Sequence, residues 1–296
     1  MYRLNPLALL KPKTKTIELP SKEVLKIRSG LTLIETETQH GSYAYRQLLR
    51  IGLSDARARV VANKLKIHSY DANDQICAKG DYLEYWHLIM TGLVSASTPV
   101  SETESVPISL YGESSWFGEQ SIINKKPNYA NYICLTSTDV LSLPATLLHQ
   151  LLEEDQPFAT YVARLVAWRA QRASEMLMLM KLGNPVLRVV MGLSQFIEAL
   201  AYNSERPPTI GFGEGVELPL KQAAVASLCG VSRSIFSEVA QKLAANGWLR
   251  LAYGKVEILE HHTWNNFAQK QRARSFNNLN PHLDELLREL QASVAF

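Results

Sequence analysis

The chain has few cysteines, and their spacing excludes two common uses of this residue. It has only three, Cys77, Cys134 and Cys229, which lie far apart and form no CxxC pair. An odd number at such distances suggests neither a disulfide framework nor a zinc site. We therefore expect buried free thiols, no metal site and no cofactor.

Long apolar segments and a strong charge of one sign are also missing. No stretch approaches the roughly 18 to 20 uncharged residues that a transmembrane helix needs. Near the N-terminus the lysines follow a short apolar run, which is the wrong order for a secretory signal. The net charge of +3 fits a nucleic-acid partner but is too small to argue for one. We expect a cytoplasmic protein without membrane contact.

The sequence also lacks the short motifs of catalysis. It contains no phosphate-binding loop, no paired-carboxylate motif and no nucleophile motif, so we do not expect an enzyme. Its 296 residues suffice for about two globular domains.

The first 65 residues contain two different patterns. The apolar stretch at 24–34 fits either a strand or a short helix. From residue 43 the pattern is helical, with a break at Gly52, after which Ser54 and Asp55 can cap a second helix. We predict that residues 1–60 are an N-terminal extension with lead-in helices.

Residues 67–143 consist of short apolar segments separated by turn residues. Strands at such spacing predict an antiparallel sandwich or barrel. Residues 85–90 are apolar on both faces, which is typical of a strand buried on both sides. We assign this β domain to residues 61–155.

A long helix is predicted next, because residues 158–182 contain neither glycine nor proline. Side chains at spacings of three and four form a stripe along it: Leu165, Trp168, Arg172, Met176 and Leu179. The apolar coverage is too wide for packing on a small sheet alone. A partner helix in a homodimer explains the excess, and a core helix within the chain is the alternative. We assign 156–183 as a dimerisation helix that ends at the turn 183–185.

Residues 216–259 predict a helix-turn-helix followed by a hairpin. A short strand at 216–218 leads into a helix at 221–228, a turn that contains Gly230, and a helix at 233–245 capped by Ser232. The predicted inward side chains are Ala224, Val225, Leu228, Ile235, Val239 and Leu243. The opposite face is polar and has the positions that enter a DNA major groove: Arg233, Ser234, Ser237, Glu238, Gln241 and Lys242. The hairpin predicts a wing that contacts phosphate.

Three segments carry a family resemblance. LPLKQAAVASLCGVSRSIFSEVAQKLAANGWLRLAYGKVEIL resembles the C-terminal domain of the Crp/Fnr family of bacterial regulators. YDANDQICAKGDYLEYWHLIMTGLV and WFGEQSIIN resemble the start and the pocket motif of that family's cyclic-nucleotide-binding-like β-roll. The resemblance covers residues 60–262 and implies an α+β protein with an N-terminal jelly-roll-like β-roll, a long dimerisation helix and a C-terminal winged helix-turn-helix.

The function that this resemblance implies is transcription regulation by a homodimer that binds double-stranded DNA, with RNA polymerase as a further partner. The winged domain would span 184–264, and a helical tail would span 265–296. The expected DNA-binding residues are Ser232, Arg233, Ser234, Ser237, Glu238, Lys242 and Lys255. The alternative function is a β-roll regulatory module that acts on a protein partner.

The expected effector pocket departs from the family pattern. Nucleotide-binding members have a Gly-Glu pair followed by Arg-Ser or Arg-Thr, which holds the cyclic phosphate. Gly118 and Glu119 are present here, but Asn128 and Tyr129 stand at the second pair, before Ala130. Asparagine cannot compensate a phosphate charge, so we predict that cyclic AMP does not bind in the family mode. Tyr129 either fills the pocket or stacks on a different effector of unknown identity.

Further departures concern sensing and base preference. The N-terminal region has no cysteine, which excludes an iron–sulfur sensor of the family type. His87 is predicted to be a packed core residue and not a haem ligand. At the start of the recognition helix, Arg233 is suited to guanine, whereas Glu238 can accept from cytosine N4, so the preferred half-site should differ from the family's common ones.

The tail has a basic run at Lys270, Arg272 and Arg274, followed by an amphipathic helix predicted at 281–294. We expect this helix to pack back on the domain or the dimer.

Overall fold

The computed structural model describes residues 41–101, 105–202, 215–274 and 276–294. The apolar stretch at 24–34 lies outside these residues, as does most of the predicted flexible segment at 203–215. The helices are α1 (41–50), α2 (Asp55–Ala62), α3 (Glu119–Asn124), α4 (Ala145–Glu154), α5 (Gln156–Leu182), α6 (Pro185–Ala201), α7 (Gln222–Leu228), α8 (Arg233–Ala245), α9 (His261–Ala273) and α10 (Leu283–Gln291).

The strands build two four-stranded sheets and one three-stranded sheet, all antiparallel. They are β1 (Lys66–Tyr70), β2 (Gln75–Cys77), β3 (Tyr85–Thr91), β4 (Val94–Pro99), β5 (Ser105–Tyr111), β6 (Trp116–Phe117), β7 (Asn131–Cys134), β8 (Thr138–Pro144), β9 (Val216–Leu218), β10 (Leu249–Ala252) and β11 (Lys255–Ile258). The orders β1-β8-β3-β6 and β2-β7-β4-β5 form the predicted β-roll, and the order β10-β11-β9 forms the wing sheet.

Strand β3 has both faces covered, as its apolar run predicted. Trp86 and Leu88 face a cluster formed with the flanking helices, where Trp86 stacks on Trp116 at 4.1 Å between ring centroids. Ile89 faces the interior of the roll, together with Phe117. A strand in this position suits continuous apolar residues because neither face meets water.

Local capping explains where several helices begin. Ser54 accepts a hydrogen bond from the Arg57 amide at the start of α2. Asn184 accepts one from the Leu187 amide at the start of α6, and Pro185 occupies the first helical position, where its missing N–H costs nothing. The caps at Ser54 and the break at residues 183–185 agree with the sequence-based expectations.

Most of the stripe that the sequence shows along α5 is used within the chain. Leu165 is buried against the β-roll, and Leu179 is buried in the C-terminal core. Trp168 stacks on Tyr202 at 4.2 Å, and Arg172 forms an ion pair with Glu198. These residues face the chain's own β-roll and C-terminal helices, so they are not the part of α5 that is free to meet a partner helix.

A different row of α5 is left uncovered. It contains small and aliphatic residues at alternating spacings of three and four, which are Ala163, Val166, Ala170, Ala173, Leu177 and Met180. Val166 is half-buried and the others are exposed. This spacing is that of a coiled-coil seam.

The two halves of the molecule share one core. Leu93 and Leu110 of the β-roll belong to the cluster that also holds Phe236 and Trp264 of the C-terminal part. At this contact Gly112 lies against Leu200, since an added Cβ would lie 2.6 Å from a methyl group of the Leu200 side chain.

The tail packs against the C-terminal domain. Leu283, Leu286 and Leu290 of α10 are buried in the shared core, as expected for the amphipathic helix. Helix α9 runs through residue 264, where we had placed a domain boundary, and the boundary drawn at residue 60 likewise falls inside α2. The domain bounds therefore stay proposals.

An ion cluster ties the tail to the helices on either side of the break at residues 183–185. Arg272 of α9 donates to Glu175 of α5 at 2.8 Å and, through Nη2, to Glu198 of α6 at 2.5 Å. Arg172 bonds to Glu198 from the other side at 3.2 Å. These four side chains are mostly buried, so removing one of them would leave the opposite charge buried without a partner.

Candidate effector pocket and nucleic-acid interface

The expected effector pocket begins at the turn from β6 into α3. Gly118 has a φ of +98°, and an added Cβ would lie 2.9 Å from a Leu83 methyl group. Only glycine adopts this backbone readily. The turn puts Glu119 at the first position of α3, where its side chain enters the protein and is almost fully buried.

The Glu119 carboxylate accepts hydrogen bonds from two other side chains of the protein. Arg169 of α5 donates from Nη1 to Oε1 of Glu119, and Trp86 donates from its indole nitrogen to Oε2 at 3.3 Å. A second nitrogen of Arg169 donates to the carbonyl of Trp116. A buried carboxylate needs such partners, and here a residue 50 positions away supplies the charge.

Aromatic rings line the space beside this ion pair. The Arg169 guanidinium lies 5.3 Å from the centre of the Tyr111 ring. Phe117 and Tyr132 follow, with 4.8 Å between their centroids. Burial raises the pKa of Tyr111 and that of Tyr132, so both rings carry neutral hydroxyls.

Tyr129 follows Asn128 on the same loop and remains 43% exposed. Its hydroxyl lies near those of Tyr111 and Tyr132. Burial raises the pKa of Tyr129 as well.

Asn128 is turned into the loop that carries it. Ser121 donates to its Oδ1 at 3.2 Å, and its Nδ2 donates to the carbonyl of Ala130 at 2.5 Å. Its backbone amide donates to Asp81 at 2.7 Å, and its carbonyl accepts from Gly80 at 2.8 Å. Asn128 therefore holds two loops together, and both polar atoms of its side chain are bonded within them.

His87 is a packed residue of the roll, as predicted. Its Nδ1 lies 2.9 Å from the hydroxyl of Ser142, and its ring stacks on Phe117 at 5.2 Å. Burial lowers the pKa of His87 to about 3, so the ring is neutral at physiological pH.

The cysteines are free, as expected. Cys134 and Cys229 are buried, whereas Cys77 is only partly buried. Burial raises the pKa of Cys77 and that of Cys134 to about 11. Among the described residues no cluster of three or more His, Cys, Asp or Glu side chains could hold a metal ion.

The helix-turn-helix has the predicted bounds to within one residue. The axes of α7 and α8 are bent by 100° relative to each other, which is the range of this motif. Gly230 in the turn has a φ of +66°, and the Met180 side chain of α5 approaches it closely. Ser232 caps α8 by accepting from the Ile235 amide at 3.4 Å.

The inward face of the motif differs in two places from the prediction. Ala224 and Ile235 are only half-buried, whereas Ala226 and Phe236 are buried. Phe236 is the largest buried side chain of α8 and fills the space between this helix and its neighbours. Val239 and Leu243 are buried as predicted, and Phe236 completes the inward face because its large ring takes the deeper position.

The polar face of α8 is open to solvent. Exposed side chains on it are Ser232, Arg233, Ser234, Glu238, Gln241 and Lys242, and Ser237 is half-buried. The only ion pair recorded among them joins Lys242 and Glu238 at 4.0 Å, with both side chains more than half exposed. Such a pair contributes little to stability and leaves both groups available.

Lys255, which we expect to contact DNA, forms an ion pair within the wing sheet. Its ammonium group donates to the Glu217 carboxylate of β9 at 2.7 Å, so its charge is compensated within the wing sheet. Arg250 of β10 is likewise paired with Glu257 of β11 at 2.5 Å. The sequence did not reveal these pairs because the partner glutamates are recognisable only from the strand order.

Three residues of interest were missed by sequence reasoning. Arg169 and Tyr111 come from elements remote from the pocket motif, and no local pattern marks them. Tyr253 at the wing tip was seen as a turn residue only, although it is fully exposed.

Comparisons with known proteins agree with this architecture. Residues 67–155 match the family model of the cyclic nucleotide-binding domain. The cyclic AMP receptor protein of Thermus thermophilus is 23% identical over 209 residues, which cover 71% of this chain and 91% of that protein. The global nitrogen regulator of a Nostoc species is 24% identical over 208 residues, covering 65% and 84%.

A solved structure has the same fold. FixK2 from Bradyrhizobium japonicum superposes with a TM-score of 0.56 at 16% identity, covering 74% of this chain and 98% of that one. A β-roll, a long connecting helix and a winged helix-turn-helix define a class of regulator with a cyclic-nucleotide-binding-like domain. Residues 67–155 thus match the cyclic nucleotide-binding domain, and the chain as a whole has the fold of FixK2 and is similar in sequence to regulators of the Crp/Fnr type.

Membrane-spanning helices were also sought. Within the described ranges no single helix is long and apolar enough to cross a bilayer. Helices α7 and α8 reach the required length and hydropathy only when they are counted together across their bend.

Proposed function

We propose that this protein binds specific duplex DNA sequences through α8 and regulates transcription without using cyclic AMP in the family mode. The observation that carries the proposal is the open polar face of α8, which begins with Arg233 and is backed by a buried apolar face. An arginine at the start of a recognition helix can bond guanine O6 and N7.

The pocket chemistry supports the second half of this proposal. A cyclic nucleotide needs a cation for its phosphate and an acceptor for its ribose. Here Glu119 is bonded to Arg169, and Asn128 is bonded within its loop. A nucleotide that used Glu119 for its ribose would have to break the buried pair with Arg169, which costs several kcal/mol.

We further propose a homodimer along the uncovered row of α5. Six small and aliphatic positions at coiled-coil spacing would bring two copies into contact, and two recognition helices would then reach half-sites about one helical turn apart. The substitution Leu177→Glu puts a charge into this row and should yield monomers in sedimentation. Val60→Glu, at an exposed position of α2, is the control and should leave the assembly unchanged.

The main test selects bound fragments from the host genome with the full-length protein and sequences them. We expect an enriched two-fold symmetric sequence that binds at least about a thousandfold more tightly than random DNA. Calorimetry with cyclic AMP should give no micromolar binding. Absence of any enriched fragment would favour the alternative, a module that acts on a protein partner.

Micromolar cyclic AMP binding that is lost in Glu119→Gln would refute the proposal that the protein does not use cyclic AMP in the family mode. It would leave the proposed DNA binding intact.

A further inference from the structure

The tip of the wing carries an aromatic side chain that the protein leaves uncovered. Tyr253 is 99% exposed, and the next most exposed large apolar or aromatic side chain of the described residues, Tyr82, is 66% exposed. A single exposed aromatic residue is common on protein surfaces, so the place where the backbone holds Tyr253 decides whether it can contact a partner.

The backbone holds Tyr253 in a defined place. Ala252 pairs with Lys255 across a two-residue turn made of Tyr253 and Gly254. Gly254 has a φ of +76°, which such tight turns require at one or both central positions. Because β11 also pairs with β9, the turn projects from a three-stranded sheet and not from an isolated hairpin.

The charges of the wing are already compensated. Arg250 pairs with Glu257, and Lys255 pairs with Glu217, so these two cations meet two carboxylates on the same sheet. Both pairs lie at the surface and contribute little to stability, so the cations stay available to phosphate but carry carboxylates beside them. The ring of Tyr253 is an uncharged group at the tip that has no such partner to displace.

The wing is attached directly to the recognition helix. Helix α8 ends at Ala245 and β10 begins at Leu249, with the buried Trp248 between them. When α8 lies in a major groove, the hairpin tip therefore lies over the sugar–phosphate strand that borders that groove.

We propose that Tyr253 is a DNA-contacting residue whose ring packs on the deoxyriboses beside the groove that α8 enters. The contact is apolar and independent of base sequence, because every nucleotide has the same sugar. This inference rests on the proposed DNA-binding function and adds to it a residue outside the predicted set.

The test measures affinity as a function of salt, for a fragment selected by the full-length protein and for random DNA. Tyr253→Ala should weaken binding to both about tenfold. The slope of log K against log salt should stay unchanged, because losing the ring changes no ion release. Tyr253→Phe should keep most of the affinity.

Two controls separate this contact from other effects. Tyr82→Ala removes another exposed tyrosine, from the β-roll, and should leave affinity unchanged. The thermal midpoint of Tyr253→Ala should equal that of the unchanged protein, because the ring is almost wholly exposed.

Three results would overturn the inference: affinity of Tyr253→Ala within about twofold of the unchanged protein, a loss confined to the selected fragment, or an altered salt slope. In each of these cases DNA binding by the unchanged protein still stands. If the unchanged protein selects no fragment, the proposed function itself fails.

Discussion

The pocket of the β-roll and the polar face of α8 use similar residue types in opposite ways. In the pocket the charged groups are buried and bonded to each other, as Glu119 and Arg169 show. On α8 the charged groups are exposed and joined by at most a long ion pair. A polar residue serves binding only where the fold leaves its hydrogen-bonding capacity unused, so residue type alone does not identify a site.

The largest effect is expected from breaking the pair inside the pocket. Glu119→Ala leaves the Arg169 guanidinium mostly buried without its carboxylate, so we expect the free energy of unfolding to fall by about 3–5 kcal/mol. Urea denaturation followed by tryptophan fluorescence measures this loss. The comparison variant Asp55→Ala removes the exposed partner of Arg59 and should cost less than about 1 kcal/mol.

Equal losses of unfolding free energy in Glu119→Ala and Asp55→Ala would mean that the buried pair stabilises the fold no more than a surface pair does.

A smaller effect should appear as a pH dependence of the β-roll. His87 has a folded-state pKa of about 3, below the usual value of 6.5, because it is buried. Below pH 6.5 the unfolded chain takes up a proton that the folded chain rejects, so stability falls as the pH decreases. The contribution is about 1.4 kcal/mol per pH unit between pH 6.5 and the folded pKa.

His87→Gln stays neutral at every pH and can still bond to Ser142. Its unfolding free energy, measured from pH 7 to pH 4.5, should decline less steeply than that of the unchanged protein. Parallel curves for the two proteins would show that His87 is not the group responsible. His68, which shares the Ser142 hydroxyl, is only half-buried and should contribute less.

The smallest effect concerns the open face of α8. Arg233→Ala should lower affinity for the selected DNA by about 1–3 kcal/mol and relax the preference at one base position, with folding unaffected. Binding to single-base variants of the selected fragment measures this. Arg59→Ala removes another exposed arginine, from α2, and serves as the matched control, which should leave DNA affinity unchanged.

If Arg233→Ala weakened specific and random DNA equally, Arg233 would be a phosphate contact and not a base-reading residue.

Much of the fold could be predicted from periodicity and turn chemistry. The buried strand β3, the cap at Ser54, the break at residues 183–185 and the bounds of α8 all follow from neighbours within a few positions. Such features depend on local backbone preferences and on the alternation of apolar residues, which the order of residues displays directly.

Which partner each side chain meets could not be predicted in the same way. The apolar coverage of α5 indicated more than one packing partner, but it did not show that Leu165 and Leu179 are the residues covered by the chain's own cores. Phe236 took the inward position expected for Ile235. Several faces of a helix can be apolar, and only the packing of distant elements decides which one is covered.

By itself, the sequence determined the order of elements and the winged helix-turn-helix, and it placed an asparagine, Asn128, where the family resemblance leads one to expect an arginine. Only the tertiary structure decided that Arg169 pairs with Glu119, that Glu217 pairs with Lys255, and that the Tyr253 side chain is left exposed at the tip of the wing. The physical reason is distance along the chain: these partners are 50 and 38 residues apart, so they meet only once the helices and sheets have packed.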